Sequence, residues 1–339
     1  MVTTLTEVPL KSGAALVIRR FEPPQEDYAR RLLYFLRHKG DDSTRGLRQR
    51  VLGQYAEHCI DRYFVGEVNG RIVGHAWYGL PRRGTGVGNF GHVYTDPQWR
   101  GQGVAREITR VLVEHFSAEP AGLCLLCSAS AQSGRIYQKL GFEFILPESN
   151  SGPMALIKPS VAGSFAELDE KYFAPGFAVR VREGHIGDRH DLDRMLDFSA
   201  PWIAARERWH FALLASRVPT FISALHYVED GRGLITVLQT SAGSLVGYAF
   251  VLNLGSRFEK GLRTFDLAVH PHYLDKATYL VEETLKMAGS GEVHAFIAEC
   301  DEEKLTALLQ AGFVEQYRFG GAFVLADGPF DVLLLRHCQ

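Results

Sequence analysis

Apolar residues along the first half of the chain switch between a two-residue and a three-to-four-residue period, and each switch marks an element. Residues 16–20 open with Leu16-Val17-Ile18 and predict a strand, and residues 25–38 space their apolar side chains along one helix face. A second helix is expected over 44–57. Residues 63–68 and 71–79 are two strand-like runs separated by Asn69-Gly70. That dipeptide accepts the positive φ angles of a tight turn, so the segment predicts a hairpin. Further along, 88–95 reads as a strand, 102–116 as an amphipathic helix, 123–128 as a buried strand and 131–140 as a helix. Residues 142–146 and 154–158 read as closing strands. The class is α/β, an α+β mixed sheet with flanking helices.

The second half replays this order in faded form. Val179-Arg180-Val181-Arg182 echoes the opening strand, and Gly247-Tyr248-Ala249-Phe250 echoes Gly74-His75-Ala76-Trp77. Leu267-Ala268-Val269-His270-Pro271 echoes Val93-Tyr94-Thr95-Asp96-Pro97, and Gln310-Ala311-Gly312-Phe313 echoes Lys139-Leu140-Gly141-Phe142. The offsets, 173, 174 and 171 residues, are nearly equal and keep one order. An internal duplication follows. The expected division is 1–158, a connector over 159–176, and 177–339. Inside the connector, Ser164-Phe165-Ala166-Glu167 has capping-box spacing and predicts a short helix.

Composition narrows the function classes. A length of 339 residues suits two domains of ordinary size. The chain is 46% hydrophobic and 22% charged with a formal net charge of -2, without the basic excess usual in nucleic-acid or membrane-surface binders. It has no apolar run long enough to cross a bilayer, no leader-like start, and five scattered cysteines that suit reduced thiols. A cytoplasmic protein with no nucleic-acid and no membrane partner is expected.

The chemistry concentrates in Gln98-Trp99-Arg100-Gly101-Gln102-Gly103-Val104-Ala105-Arg106. A strand enters, Asp96-Pro97 turns the chain, and a helix leaves. Small residues leave backbone N–H groups bare, and the helix turns its positive dipole end on them, so the stretch forms an anion cradle suited to a pyrophosphate. A sharp strand-to-helix turn with no ligand is the plain alternative. The pattern Arg100-x-x-Gly103-x-Ala105 resembles the acetyl-coenzyme A signature of the GNAT N-acetyltransferase superfamily. Ser130-x-x-Ser133-x-x-x-Tyr137-x-Lys139-Leu140-Gly141-Phe142 resembles that family's later helix, which carries a tyrosine and ends in a Gly-Phe step. The whole chain is similar to a tandem GNAT protein with an intact N-terminal and a degenerate C-terminal domain, each a twisted mixed sheet flanked by helices.

The resemblance implies a set of roles. Backbone amides of Gly101, Gln102, Gly103, Val104 and Ala105 would bind the pyrophosphate of acetyl-CoA, with charge added by Arg100 or Arg106. The strand edge at Val93, Tyr94 and Thr95 would pair with the pantetheine arm as an added strand does. Ser130 and Ser133 would supply later coenzyme contacts, although the family often has Asn where Ser130 stands. Tyr137 would be the general acid that protonates the departing thiolate; an ordinary core tyrosine is the alternative. Many members carry a Glu base on the strand before the cradle, whereas this strand offers Asn89 and His92. His92 titrates in the right range and is the candidate base, against a purely structural histidine, with His75 as a further candidate and bulk water as another proton acceptor. No metal is implied. The implied activity is transfer of an acetyl group from acetyl-CoA to a primary amine of a small molecule or peptide by direct attack, and a homodimer is compatible with it.

The second half departs from the pattern where chemistry requires it. After Pro271 comes His272-Tyr273-Leu274-Asp275-Lys276-Ala277, with neither glycine nor arginine at the cradle positions and an acid that would repel a diphosphate. Leu308 matches Tyr137. This half is expected to have lost coenzyme binding and to shape the acceptor pocket or mediate assembly. A single working half is also known in mycothiol synthase, there the second one. The rival readings are another acyl transfer on a doubled GNAT fold, as in aminoacyl transferases, and a non-catalytic acyl-CoA-binding sensor or assembly module.

Other motifs have plainer explanations. Gly86-x-Gly88-x-x-Gly91 matches a dinucleotide fingerprint but leads into a strand where a helix is required. Cys124-Leu125-Leu126-Cys127 lies in a buried apolar strand and reads as structural, and His270-Pro271-His272 reads as a turn. The basic run over 45–50 reads as a solvated helix face. Zinc-peptidase and serine-hydrolase signatures do not occur.

Overall fold

A computed structural model describes residues 1–39, 44–161, 163–198, 221–253, 263–325 and 328–338, and divides the chain into units Met1–Leu168 and Asp169–Gln339. The first unit contains strands β1 (Val2–Pro9), β2 (Ala15–Phe21), β3 (Cys59–Val68), β4 (Arg71–Pro81), β5 (Val87–Thr95), β6 (Cys124–Ala129), β7 (Glu143–Phe144) and β8 (Gly152–Ile157). Its helices are α1 (Glu26–Phe35), α2 (Thr44–Val51), α3 (Val104–Ala118) and α4 (Ala131–Gln138). The sheet order among described residues is β1-β2-β3-β4-β5-β6-β8-β7, antiparallel except between β5 and β6. At the β3–β4 turn Asn69 (φ 49°) and Gly70 (φ 75°) adopt the two positive angles expected of them.

The sheet is covered on both faces. Val104, Ile108, Leu112 and Phe116 recur every fourth residue along α3, are each at most 1% exposed, and pack on Leu16, Ile18, Phe64 and Tyr78. Each such side chain contributes about 1.5–3 kcal/mol by leaving water. Gly74 of β4 lets the helix seat that closely, since a Cβ there would lie 2.5 Å from the Val104 Cγ1 atom. On the opposite face α1 and α2 bring Tyr28, Leu32, Leu47 and Val51 against Tyr63, Val65, Ile72 and Trp77.

Three expectations need correction. Strand β1 was not anticipated; it pairs antiparallel with β2 from Val2–Phe21 to Pro9–Ala15. The second helix stops at Val51 rather than running through 57, because Gly53 turns to φ 78° where its backbone meets Pro24. The basic run over 45–50 is only in part a solvated face: Arg48 is exposed, but Arg50 is 2% exposed, lies over the Trp77 ring at 4.8 Å and sits 3.4 Å from Asp61. Asp61 also accepts the Trp77 indole N–H at 2.7 Å, so a buried charge pair is anchored under the sheet.

At the connector, α5 (Phe165–Tyr172) begins as its sequence suggests. The Ser164 hydroxyl accepts from Glu167 N at 3.2 Å, while Glu167 reaches back to Gly163 N at 3.1 Å, one residue before the usual box partner.

The second unit contains β9 (Val179–Glu183), α6 (Arg189–Asp193), α7 (Phe221–Glu229), β10 (Gly233–Thr240), β11 (Leu245–Leu252) and β12 (Arg263–Val269). It continues with α8 (Ala277–Ala288), β13 (Glu292–Ala298), α9 (Glu302–Gln310), β14 (Val314–Leu325) and β15 (Gly328–Cys338). Its order, β14-β15-β13-β12-β11-β10-β9, matches β7-β8-β6-β5-β4-β3-β2 strand for strand, and β12–β13 is its parallel pair. Each unit is a mixed sheet flanked by helices.

One residue separates the two ladders. In the first unit Trp77 faces Gly91 and His75 faces Tyr94, so His92 and Val93 together stand opposite Ala76. This is a β-bulge, and His92 takes the left-handed conformation at φ 55°. In the second unit the β11–β12 ladder runs from Gly247–Val269 to Leu252–Thr264 without a shift.

Candidate active site

β5 parts from its parallel neighbour before it reaches the bulge. β5 and β6 pair only at Val87–Cys124, Gly88–Leu125 and Asn89–Leu126, after which β6 continues against β8 alone. The β6-facing edge of Val93, Tyr94 and Thr95 is therefore unpaired with any described strand, while their other edge is held by β4. An unpaired strand edge accepts an extended ligand.

Just beyond this edge the chain turns at Asp96, whose carboxylate caps the following turn by accepting from Gln98 N at 3.0 Å. Gly101 (φ 76°) and Gly103 (φ 98°) are both left-handed, and nothing lies within 4 Å of where a Cβ would stand on either. Intrahelical bonding in α3 begins with Glu107 N to Gly103 O at 3.0 Å. The N–H groups before it point from the helix start without a carbonyl a turn behind them. A cavity of 450 Å³ opens there, lined by residues 100–107 together with Thr95, Trp99, Lys11, Gln132 and Ile136. These features fit a diphosphate: bare donors, a dipole end, and room no side chain fills.

Several lining residues lie outside the motif read from sequence. Lys11 arrives from the β1–β2 turn, which Lys11 N ties to Gln102 O at 3.4 Å, and it was missed together with β1. Gln132 and Ile136 are one turn apart on α4, a spacing that could have flagged them. Two predicted contacts behave otherwise. The Ser130 hydroxyl caps α4 by accepting from Ser133 N at 3.2 Å, the Ser133 hydroxyl donates to Ser130 O at 3.2 Å, and neither residue lines the cavity. Arg100 donates to Thr95 O at 3.3 Å, and Arg106 pairs with Glu107 at 2.7 Å.

Tyr137 projects from α4 into the core and does not line the cavity; it is 7% exposed, with its ring 5.0 Å from Phe90 and 5.7 Å from Phe142. Burial, with a smaller effect of Cys127, raises its pKa above the ordinary phenol value, so it is protonated throughout the neutral range. His92 lies across the bulge, its ring 5.2 Å from Trp77 and its Nδ1 3.0 Å from the Lys39 ammonium. A lysine donating to Nδ1 leaves the neutral ring's proton on Nε2, the donor tautomer. Burial lowers the Lys39 pKa. His75 is fully buried, stacked 5.7 Å from Tyr63; desolvation first, then the Lys39 charge, brings its pKa down to about 3. A neutral, enclosed imidazole of that kind is structural.

Among its described residues the second unit lacks these features. α8 starts after a tight turn over Pro271–Lys276 with no glycine, Asp275 pairs with Lys276 at 2.7 Å, and fully buried Leu308 stands where Tyr137 does. β12 and β13 also part, after Thr264–His294. Two residues on, however, Asp266 of β12 forms a fully buried ion pair with Lys304 of α9. A buried side-chain pair thus ties β12 to α9 beyond the point where β12 leaves β13. Cys124 and Cys127 are buried free thiols, and at three residues apart in a strand they face opposite sides of the sheet. No group of three or more His, Cys, Asp and Glu side chains that could hold a metal occurs among the described residues.

Residues 44–154 match the family model described as an acetyltransferase (GNAT) domain. The chain carries a GNAT acetyltransferase domain in its first unit and repeats that architecture in its second, giving two GNAT-like domains in tandem. No curated protein matches the sequence. Among solved structures, spermidine N-acetyltransferase from Vibrio cholerae in complex with CoA and spermine is 13% identical, with a TM-score of 0.38, covering 48% of this chain and 95% of its own. A phosphinothricin acetyltransferase from Sinorhizobium meliloti in complex with AcCoA is 12% identical at TM-score 0.37, covering 48% and 88%. A Salmonella typhimurium putative acetyltransferase with acetyl-CoA is 15% identical at TM-score 0.38, covering 48% and 94%.

Proposed function

We propose that the first unit is an N-acetyltransferase that moves an acetyl group from acetyl-CoA to a primary amine by direct attack. The observation that carries this reading is the meeting of an open, glycine-turned start of α3 with the unpaired edge of β5. The amides of Gly101 to Ala105, backed by the helix dipole, would hold the diphosphate, and the backbone of Val93 to Thr95 would bond the pantetheine amides. The amine nitrogen bonds to the thioester carbonyl carbon as the carbon–sulfur bond breaks, and the Tyr137 hydroxyl gives its proton to the departing sulfur. With the His92 Nδ1 engaged by Lys39, the amine's proton leaves to water, or to Nε2 only if the ring changes tautomer. A cytoplasmic setting agrees with acetyl-CoA as donor and with five free cysteines.

The rival that the geometry also supports is a coenzyme-binding sensor, because Tyr137 packs as deeply as a core residue. A screen of amines with coenzyme A release as readout separates the two, run beside thermal shift with acetyl-CoA. Acetyl-CoA should raise Tm, since it binds only the folded state. Tyr137→Phe should keep that shift and lose about 10²–10⁴-fold in turnover. Binding without release of coenzyme A from any amine would favour the sensor, and no Tm shift at all would end both readings.

A further inference from the structure

A second cavity of 560 Å³ lies on the α1 side of the same strand end. Arg31, Arg37 and Arg71 converge on its wall, and Asp96 is the one acid among the lining residues. Each guanidinium is oriented by few bonds. Arg31 donates to Glu67 Oε1 at 3.0 Å and Gly70 O at 2.9 Å, Arg37 to Tyr34 O at 2.7 Å, and Arg71 to Asp96 Oδ2 at 3.3 Å. At least three of the five N–H groups on each are left for another acceptor. Arg37 also lies over the Tyr34 ring at 4.0 Å, a cation–π contact. Glu67 does not cancel the surplus, because Arg19 shares it at 3.0 Å.

The cavity and the bulge lie along the same strand, β5. Its floor is the Tyr94 ring, stacked on His38 at 3.7 Å. Tyr94 is two residues along β5 from the bulge residue His92, a distance of roughly 7 Å in a strand. An amine at the bulge and an anion among the arginines would therefore belong to one small molecule.

Resting on the acetyl-transfer reading above, we propose that this cavity is the acceptor subsite and that the acceptor is an amine bearing a carboxylate or phosphate group, held by Arg31, Arg37 and Arg71. A polyamine is disfavoured there, since a second cation would face three arginines.

Calorimetry on the full chain, with coenzyme A present, tests the subsite directly. The probes are β-alanine against β-alaninamide, phosphoethanolamine against ethanolamine, and putrescine; the first two pairs tell carboxylate from phosphate. The anionic member of at least one pair should bind on the order of tenfold or more tighter than its neutral partner, as expected for charge-assisted bonds. Arg37→Gln and Arg71→Gln should each erase most of that preference while leaving the acetyl-CoA Tm shift unchanged, and added salt should weaken it. Equal or tighter binding of ethanolamine, β-alaninamide or putrescine, no binding of any probe, or an intact preference in both variants overturns the proposal. Anion binding with no coenzyme A release would uphold the subsite while sinking the transfer reading.

Discussion

Mild acid should loosen the first unit through His75. Unfolded, this imidazole takes a proton near its ordinary pKa of 6.5, whereas in the fold it does so only near 3, because burial and the Lys39 charge oppose the cation. Between those values the unfolded chain binds one more proton than the folded one, so stability rises with pH across that window. The contribution is complete above 6.5 and is lost progressively as pH falls toward 3. From pH 7 to pH 5 the loss from His75 alone is about 2 kcal/mol, and it hardly depends on the folded value as long as that lies below 4. His270 of the second unit, also drawn down to about 3 by burial and then by His272, should add a comparable loss there. The assay is urea denaturation of the full chain at pH 7, 6 and 5, with hydrogen exchange of peptides spanning β3 to β5 reporting the first unit. His75→Phe removes the titration. Its stability gap from the parent chain should shift by about 2 kcal/mol in its favour between pH 7 and pH 5. A gap that stays constant across that range would refute the argument that the ring is held neutral.

Two further outcomes follow from the same geometry. Gly103→Ala forces an L-residue to φ 98°, at a strain of about 1–2 kcal/mol, and puts a methyl group into the open space of the cradle. Calorimetry should show weakened coenzyme A binding, and unchanged affinity would remove the cradle from the argument. In the second unit, Lys304→Met should cost about 3–5 kcal/mol by stranding the Asp266 carboxylate, and Asp266→Leu in the same chain should recover most of it. If denaturation midpoints show the single change to be harmless, the pair does not hold α9 to β12.

Legibility in the sequence followed the range of the interactions. The Asn69-Gly70 turn, the glycine turn before α3 and the four-residue stripe from Val104 to Phe116 are local patterns, and each lies where its spacing placed it. The duplication was visible because turns and buried strands recur at nearly constant offsets, and the matching strand orders agree. What the sequence hid is nonlocal. Arg31, Arg37 and Arg71 become neighbours only once β4 lies beside the end of α1, and Lys11 reaches the cradle only through the unforeseen β1. Arg50 looked like part of a wet basic face because nothing nearby in sequence announces Asp61 and Trp77 beneath it. The bulge escaped notice because a strand with one surplus residue has the same composition as one without.

That surplus residue also limits what mutation can do to the second half. Side chains lie on alternate faces of a strand, so one additional residue reverses which face every later position addresses. No exchange of amino acids, however extensive, alters the number of links in β12. Giving the second copy the bulged strand of the first would call first for lengthening its chain by one, and only then for glycines and a tyrosine.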